Sequence, residues 1–216
     1  MSGKIPVLYD AVLNQTIPLK NWAITNTSGL PGKNIKSTVL SLKLAPNQSL
    51  FVIFEAPTKQ TELNEGLNWS SFKTIQVISK SWKAQFDTAF AGPVNPVIFN
   101  ELTDWTKHAD SSVKYYSGTA VYSKKFSFAG NLGAKIWVDL GAFSSIAKVK
   151  INGVECGTVW TAPHRLDISK AIKVGENTVE IEVTNTWANR LIGDSKLPEN
   201  KRFTKRRHLS VWKENH

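Results

Sequence analysis

Asn152-Gly153 lies between two apolar-alternating runs, Ile146–Ile151 and Val154–Trp160, and this leaves the backbone little choice. Both central residues of a two-residue type I′ turn need positive φ, which Asn-Gly supplies at least cost. The segment predicts a tight antiparallel hairpin. In that register Ile151 faces Val154, Val149 faces Cys156 and Ala147 faces Thr158, so Lys148 and Lys150 share the opposite face. Cys156 then reads as a buried structural thiol.

The same period of two recurs along the chain. Trp82, Ala84 and Phe86 alternate with Lys83 and Gln85, and Ala120, Tyr122, Lys124, Phe126 and Phe128 with Val121, Ser123 and Lys125. Ile136, Val138 and Leu140 form another set, and Val179, Ile181 and Val183 a last one. Nearer the start, Leu40, Leu42 and Leu44 alternate with polar residues, Ala45-Pro46-Asn47-Gln48 interrupts, and Leu50–Phe54 is continuously apolar. This predicts two antiparallel strands. Helix is scarce: a turn at Ser169–Ile172 that Ser169 could cap, and another around Glu101–Thr106. About six to eight short strands with regularly spaced turns indicate an all-β protein, a β-sandwich. The stretch 57–72 is polar and aperiodic and contains Pro and Gly, so it reads as a linker. The chain thus divides into a small β element (1–56), a linker (57–72), a sandwich (73–195) and a basic tail (196–216).

A chain of 216 residues can bury a substantial core. No apolar run approaches the roughly 18 to 20 residues a membrane span requires, and the start, MSGKIPVLYD, does not read as a secretory signal. One cysteine forbids an intrachain disulfide and a cysteine-rich zinc site. The net charge of +10 raises nucleic acid, anionic lipid or acidic polysaccharide as partners. Half of it comes from the tail, where seven cations (Lys196, Lys201, Arg202, Lys205, Arg206, Arg207, Lys213) meet two carboxylates, Glu199 and Glu214. A solvated terminus is the simpler reading of that tail, because no nucleic-acid-binding motif accompanies it.

Longer segments carry a resemblance. The runs KVKINGVECGTVWTAPHRLDI and IKVGENTVEIEVTNTW pair an Asn-Gly hairpin with a later Gly-x-Asn strand entry. They resemble the sugar-binding jelly roll of glycoside hydrolase family 2. LTDWTKHADSSVKYYSGTAVYSKKF, WVDLG and NTWANRLIGD are similar to the C-terminal sandwich of glycoside hydrolase family 106, the α-L-rhamnosidases. SGKIPVLYDAV with LSLKLAPNQSLFVIFEA resembles the small β segment that closes the preceding region of those enzymes. The resemblance implies a galactose-binding-domain-like jelly roll and a rhamnose-containing carbohydrate ligand. It further implies an upstream catalytic barrel in a longer parent enzyme that is exported or periplasmic. Family members are several times longer and carry their catalytic carboxylates in that barrel, so this chain reads as a noncatalytic portion of a truncated or split gene product. After KRFT the family continues toward an apolar closing strand, and this chain does not.

Each chemical constellation has a bland alternative. Glycoside hydrolysis needs two carboxyl groups about 5 to 9.5 Å apart. The spacing of Asp87, Glu101, Asp104, Asp110, Asp139, Glu155, Asp167 and Asp194 pairs no two of them, and loop capping by Asp104 and Asp167 and a pairing of Asp194 with Arg190 are expected instead. No nucleophile elbow and no metal-ligand spacing appears. The cofactor expectation is therefore none, with a structural calcium bound through backbone carbonyls left open. Sugar sites join aromatic faces to planar hydrogen-bonding groups. Tyr115, Tyr116, Trp160, His164, Arg165, Trp187, Asn189, Arg190 and Asp194, placed near strand ends, are the candidate contacts. Core capping by Trp160 and Trp187 is the rival reading. An enzyme in its own right, a structural or interaction module, and a nucleic-acid binder acting through the tail are the rival functions.

Overall fold

The structure, a computed structural model, describes residues 3–28, 34–143 and 145–204. The chain forms two compact units, Met1–Thr74 and Ile75–His216.

The first unit contains β1 (Lys4–Asp10), β2 (Gln15–Pro18), β3 (Asn21–Ser28), β4 (Asn34–Leu40), β5 (Phe51–Pro57) and β6 (Glu62–Asn64). They make two three-stranded antiparallel sheets, in the orders β2-β1-β5 and β4-β3-β6. Leu8, Leu19 and Trp22 are its buried core. Two expectations change here. Strand β4 ends at Leu40, and the Leu50–Phe54 run pairs with β1 rather than with residues 40–44. Leu42 and Leu44 point to solvent, so their alternation had no buried face to enforce it. The stretch 57–72 is also more than a linker. Glu62–Asn64 pairs with Asn21–Ala23, and the buried Asn68 side chain accepts from the Lys20 and Asn21 amides and donates to the Asn21 and Ser41 carbonyls. Such an amide satisfies loop backbone that no strand partner reaches.

The second unit begins with β7 (Lys80–Phe86), β8 (Val97–Glu101), β9 (Thr119–Phe128) and β10 (Trp137–Asp139). It continues with β11 (Ile146–Ile151), β12 (Val154–Val159), β13 (Arg165–Asp167) and β14 (Gly175–Thr184). Six of these form one antiparallel sheet, β12-β11-β14-β9-β7-β8, and β10 pairs with β13 in a second, two-stranded layer. The predicted alternation places the inner face. Pairings Ala84↔Tyr122, Tyr122↔Ile181 and Ile181↔Val149 run as one row across four strands. Trp82, Phe86, Ala147, Ile151 and Val179 extend that row into a core that Leu166 and Ile168 cover from the second layer. This is a β-sandwich, as the alternation predicts.

Helical pieces are short. Asp87, Asp104 and Asp110 each accept the amide two residues on and so start, respectively, the 3-10 turns Thr88–Phe90 and Trp105–Lys107 and the single turn α1 (Ser111–Lys114). The turn after Ile168 is capped by Asp167, which accepts from the Ser169 amide and hydroxyl, rather than by Ser169. Ser169 instead accepts from the Ile136 amide and so ties the turn to β10. The eight-residue α2 (Ala188–Ser195) was not foreseen, because NTWANRLIGD follows directly on a strand.

The hairpin forms with Asn152 at φ 53 and Gly153 at φ 79, both positive as a type I′ turn demands. Its register departs from the simple expectation. Ile151↔Val154 and Lys150↔Glu155 pair directly, but Val149 then faces Gly157, so Cys156 is the extra residue of a β-bulge. Gly157 has φ +131, and a Cβ there would lie 3.1 Å from a Leu166 methyl, so the bulge lets β13 approach the sheet. Cys156 ends half-buried against the core, and burial pushes its thiol pKa up.

A Cβ on Gly153 would meet nothing within 4 Å, so any cost of a side chain there is torsional. Gly153→Val is expected to destabilise the chain by more than about 1 kcal/mol. An unchanged melting temperature would show that this turn does not control the sheet.

Candidate functional site

The sandwich is open at one end. Residues 102–106, 140–143 and 145, together with 185–189 at the start of α2, surround a groove of about 620 Å³ that reaches the inner face of the six-stranded sheet. Its floor is Trp82 and Tyr122. The Trp82 indole N–H donates to the Ile78 carbonyl, and the Trp105 N–H donates to the Tyr122 hydroxyl at 2.6 Å. Burial pushes the Tyr122 phenol pKa up and keeps it neutral, with its own proton still to donate. Leu140 and Phe143 form one flank, and Asp104, Thr106 and Asn189 stand on the rim. Behind Phe143 lies the His164 ring, 4.4 Å from it by centroid, with Nδ1 at 2.8 Å from the Gly141 carbonyl. The Leu140 amide donates to the His164 carbonyl, and the Arg165 Nε donates to Asp139 at 2.7 Å, which fixes that flank to β13.

The structure distributes the predicted contact residues rather than gathering them. Asn189 reaches the groove rim, and His164 and Arg165 support its flank from behind. Trp160 is 60% exposed just past β12, away from the groove lining. Trp187 is 48% exposed and packs between Phe90, edge-on at 6.0 Å, and Phe203, stacked at 6.5 Å. Tyr115 is half-buried; it accepts a hydrogen bond from the Lys196 ammonium, which holds its phenol pKa down.

Three of the candidates are closed to a ligand. Tyr116 is fully buried, edge-on to Phe86 and Trp105, donating to the Thr119 carbonyl and accepting from the Asp87 amide. Arg190 is buried on α2, donates to the Phe90 and Ala91 carbonyls, and lies over the Phe203 ring. Asp194 is buried too, and accepts from the Phe203 amide and from the Thr204 amide and hydroxyl. The expected Arg190–Asp194 pairing thus gives way to separate main-chain partners one turn apart. Phe203 and Thr204 are thus tied to α2, while residues 196–201 are exposed as a solvated segment would be; the basic run 205–216 lies outside the described residues.

Six further carboxylates, Asp139 among them, are likewise engaged, and Glu101 is an exposed residue at the end of β8. Asp104 and Asp167 hydrogen-bond their own loops as predicted, Asp87 and Asp110 cap turns, and Glu155 pairs with Lys148. Among the described residues no group of three or more His, Cys, Asp or Glu converges as a metal site would require, and no helix is long and apolar enough to cross a membrane. Trp82, Tyr122, Phe143 and Asp104 are the groove residues that the sequence reading missed. Alternation marked Trp82 and Tyr122 as inward, but not which part of the inner face lacks a cover.

A bulged jelly-roll sheet with a narrow second layer and an open loop end defines a galactose-binding-like module. Comparison with known proteins agrees. Residues 99–214 match the family described as glycosyl hydrolase 2 galactose-binding domain-like, and the chain belongs to that family. The rhamnosidase of Novosphingobium sp. PP1Y is 33% identical over 90% of this chain, with a TM-score of 0.70. A protein of Formosa agariphila named "Putative beta-glucuronidase" is 42% identical over 125 residues, 56% of this chain. The chain spans 17% of the rhamnosidase and 11% of the Formosa protein.

Asp194 yields a pH prediction. Burial raises its pKa, but the hydrogen bonds from Thr204 and Phe203 and the Arg190 charge outweigh this, and the folded value lies below the usual one. A depressed folded pKa contributes stability in full above the unfolded value of about 3.9, and this is lost as pH falls through the folded value. Asp194→Asn is expected to cost about 1–3 kcal/mol at neutral pH and to make the acid-side loss of stability shallower. Urea titrations from pH 7 down to about 3 check both, and an unaltered acid slope would remove Asp194 from this role.

Proposed function

We propose that this chain is the noncatalytic accessory portion of an α-L-rhamnosidase-like glycoside hydrolase that degrades plant polysaccharide, and that it contributes carbohydrate binding to it. The likeness to the rhamnosidase across 90% of this chain carries the reading, because it includes the first unit as well as the sandwich. Local chemistry supports it. Hydrolysis would need an acid and a second carboxylate poised about 5 to 9.5 Å apart and free to act. Here the sandwich carboxylates named above, apart from the exposed Glu101, cap turns, pair with cations or hold the α2 segment. The chain's small share of the relatives' length leaves room for a catalytic barrel in the same protein, with the first unit closing the domain before it and the sandwich facing the sugar. A rhamnose-containing glycan is the ligand in this reading. The exposed rings of Trp160 and Trp187 and the open groove are the surfaces that could take it.

The purified chain is expected to leave an aryl α-L-rhamnoside unhydrolysed above the buffer rate. Turnover that survives repurification and disappears with a single Asp or Glu substitution would make this chain an enzyme. Its binding to rhamnose-containing oligosaccharides is expected to be roughly millimolar and insensitive to salt, since a shallow site buries little area. Attraction to DNA, by contrast, should fall steeply between low and physiological salt and vanish on deletion of residues 205–216. DNA binding that stays tight at physiological salt without those residues would favour the nucleic-acid function instead.

A further inference from the structure

The groove differs in charge from the chain that builds it. The chain carries +10, yet among the described residues lining the groove Asp104 alone bears a formal charge. The Thr106 amide donates to this carboxylate at 2.9 Å, which holds its pKa down and keeps it anionic at neutral pH. Lys107 lies close enough to favour that anion slightly, but its exposed side chain does not line the groove. The remaining surface is apolar or neutral: Trp82, Tyr122, Leu140, Phe143, Ile181 and Val183, with the Tyr122 hydroxyl and the Asn189 amide for hydrogen bonding.

We infer that this groove is the chain's saccharide site, that it accepts neutral sugar residues, and that Asp104 turns uronic acids away. The inference rests on the carbohydrate-binding reading above and adds the place and the charge class of the ligand. The groove volume falls in the range of about 300–1,000 Å³ usual for small-molecule sites. The C–H face of a neutral pyranose, or the methyl group of a deoxy sugar, would lie on the aromatic and aliphatic wall. Its hydroxyls would meet the Asn189 amide, the Tyr122 O–H and the Asp104 carboxylate. A uronate brings a carboxylate into the same partly dehydrated space. It finds no lining cation to pair with and one carboxylate to repel it.

The test uses the full chain and ligand-observed NMR with three probes: methyl α-L-rhamnoside, and a methyl β-D-glucoside and methyl β-D-glucuronide pair differing only at C6. The neutral sugars are expected to bind, and the glucuronide at least about tenfold more weakly than its neutral partner. Asp104→Asn keeps the capping acceptor, and should bring the glucoside and glucuronide affinities to within about threefold of each other. Ala142→Trp and Thr186→Trp, at exposed positions on the rim, should each abolish neutral sugar binding with the fold intact by circular dichroism. Sugar binding that survives both bulky variants would leave the carbohydrate reading standing and move the site elsewhere. Equal affinity of the wild-type chain for glucoside and glucuronide, or an unchanged ratio in Asp104→Asn, would remove the charge filter. Failure of all three sugars, with a hydrophobic dye binding the groove, would overturn both the carbohydrate reading and this inference.

Discussion

Two asparagines twenty-five residues apart hold the second unit in register. The Asn152 Nδ2 donates to the Asn177 Oδ1 at 2.8 Å and to the Ala171 carbonyl at 2.9 Å, while its Oδ1 accepts from the Thr178 amide. Asn177, almost fully buried, accepts from the Lys173 amide and donates to the Lys173 and Gly175 carbonyls. One side chain therefore shapes the hairpin tip, the other shapes the entry to β14, and they bond to each other. A one-residue slip between β11 and β14 would leave buried amide groups unpaired, at a cost of about 1–3 kcal/mol for each group. It would also turn Val149, Ile151, Val179 and Ile181 outward. The physical content of the Asn-Gly and Gly-x-Asn pattern is this contact.

With that register fixed, the groove follows from a mismatch between layers. Each strand adds about 4.8 Å to the width of a sheet, so a two-stranded layer cannot cover the inner face of a six-stranded one. Strand β13 is drawn tightly onto the sheet where the bulge and Gly157 admit Leu166. The cover thins toward Trp82 and Tyr122, where loops and the first turn of α2 replace strands. Aromatic residues suit such a margin, because the Trp105 N–H finds the Tyr122 hydroxyl as its acceptor and needs no further strand there.

Much of this architecture was legible in the sequence. The alternation of Trp82–Phe86, Ala120–Phe128 and Val179–Val183 reports a face buried on one side only, and these strands formed where the pattern placed them. Alternation without such a face misled, as at Leu42 and Leu44. Long-range groups were also beyond reach. Nothing local in ELN foretells pairing with Asn21–Ala23, and nothing around Arg190 foretells carbonyl partners one hundred residues away. The candidate site was legible by residue type rather than by place. The aromatic, Arg and Asn side chains it singled out are spread over several surfaces, and Tyr116, Arg190 and Asp194 serve packing, since only burial separates such groups from surface ones.

The distribution of charge belongs to the same logic. On the outer face of the sheet, Lys148 pairs with Glu155 of β12 and Lys150 with Glu182 of β14, the latter a cross-strand contact that fits the Lys-x-Lys and Glu-x-Glu alternation of β11 and β14. These half-exposed pairs contribute little stability individually. Their larger effect is to oppose inversion of the two strands, which would set both charged rows against Phe86 and Leu166 in the core. The alternation that sends Lys148, Lys150, Glu180 and Glu182 outward also sends Ala147, Val149, Ile181 and Val183 inward, and all of these but Val149 reach the groove. A strongly basic chain thus builds a groove whose strand-borne walls carry no charge, and leaves its charge to the loop that holds Asp104 and its amide to Asn189 in the first turn of α2.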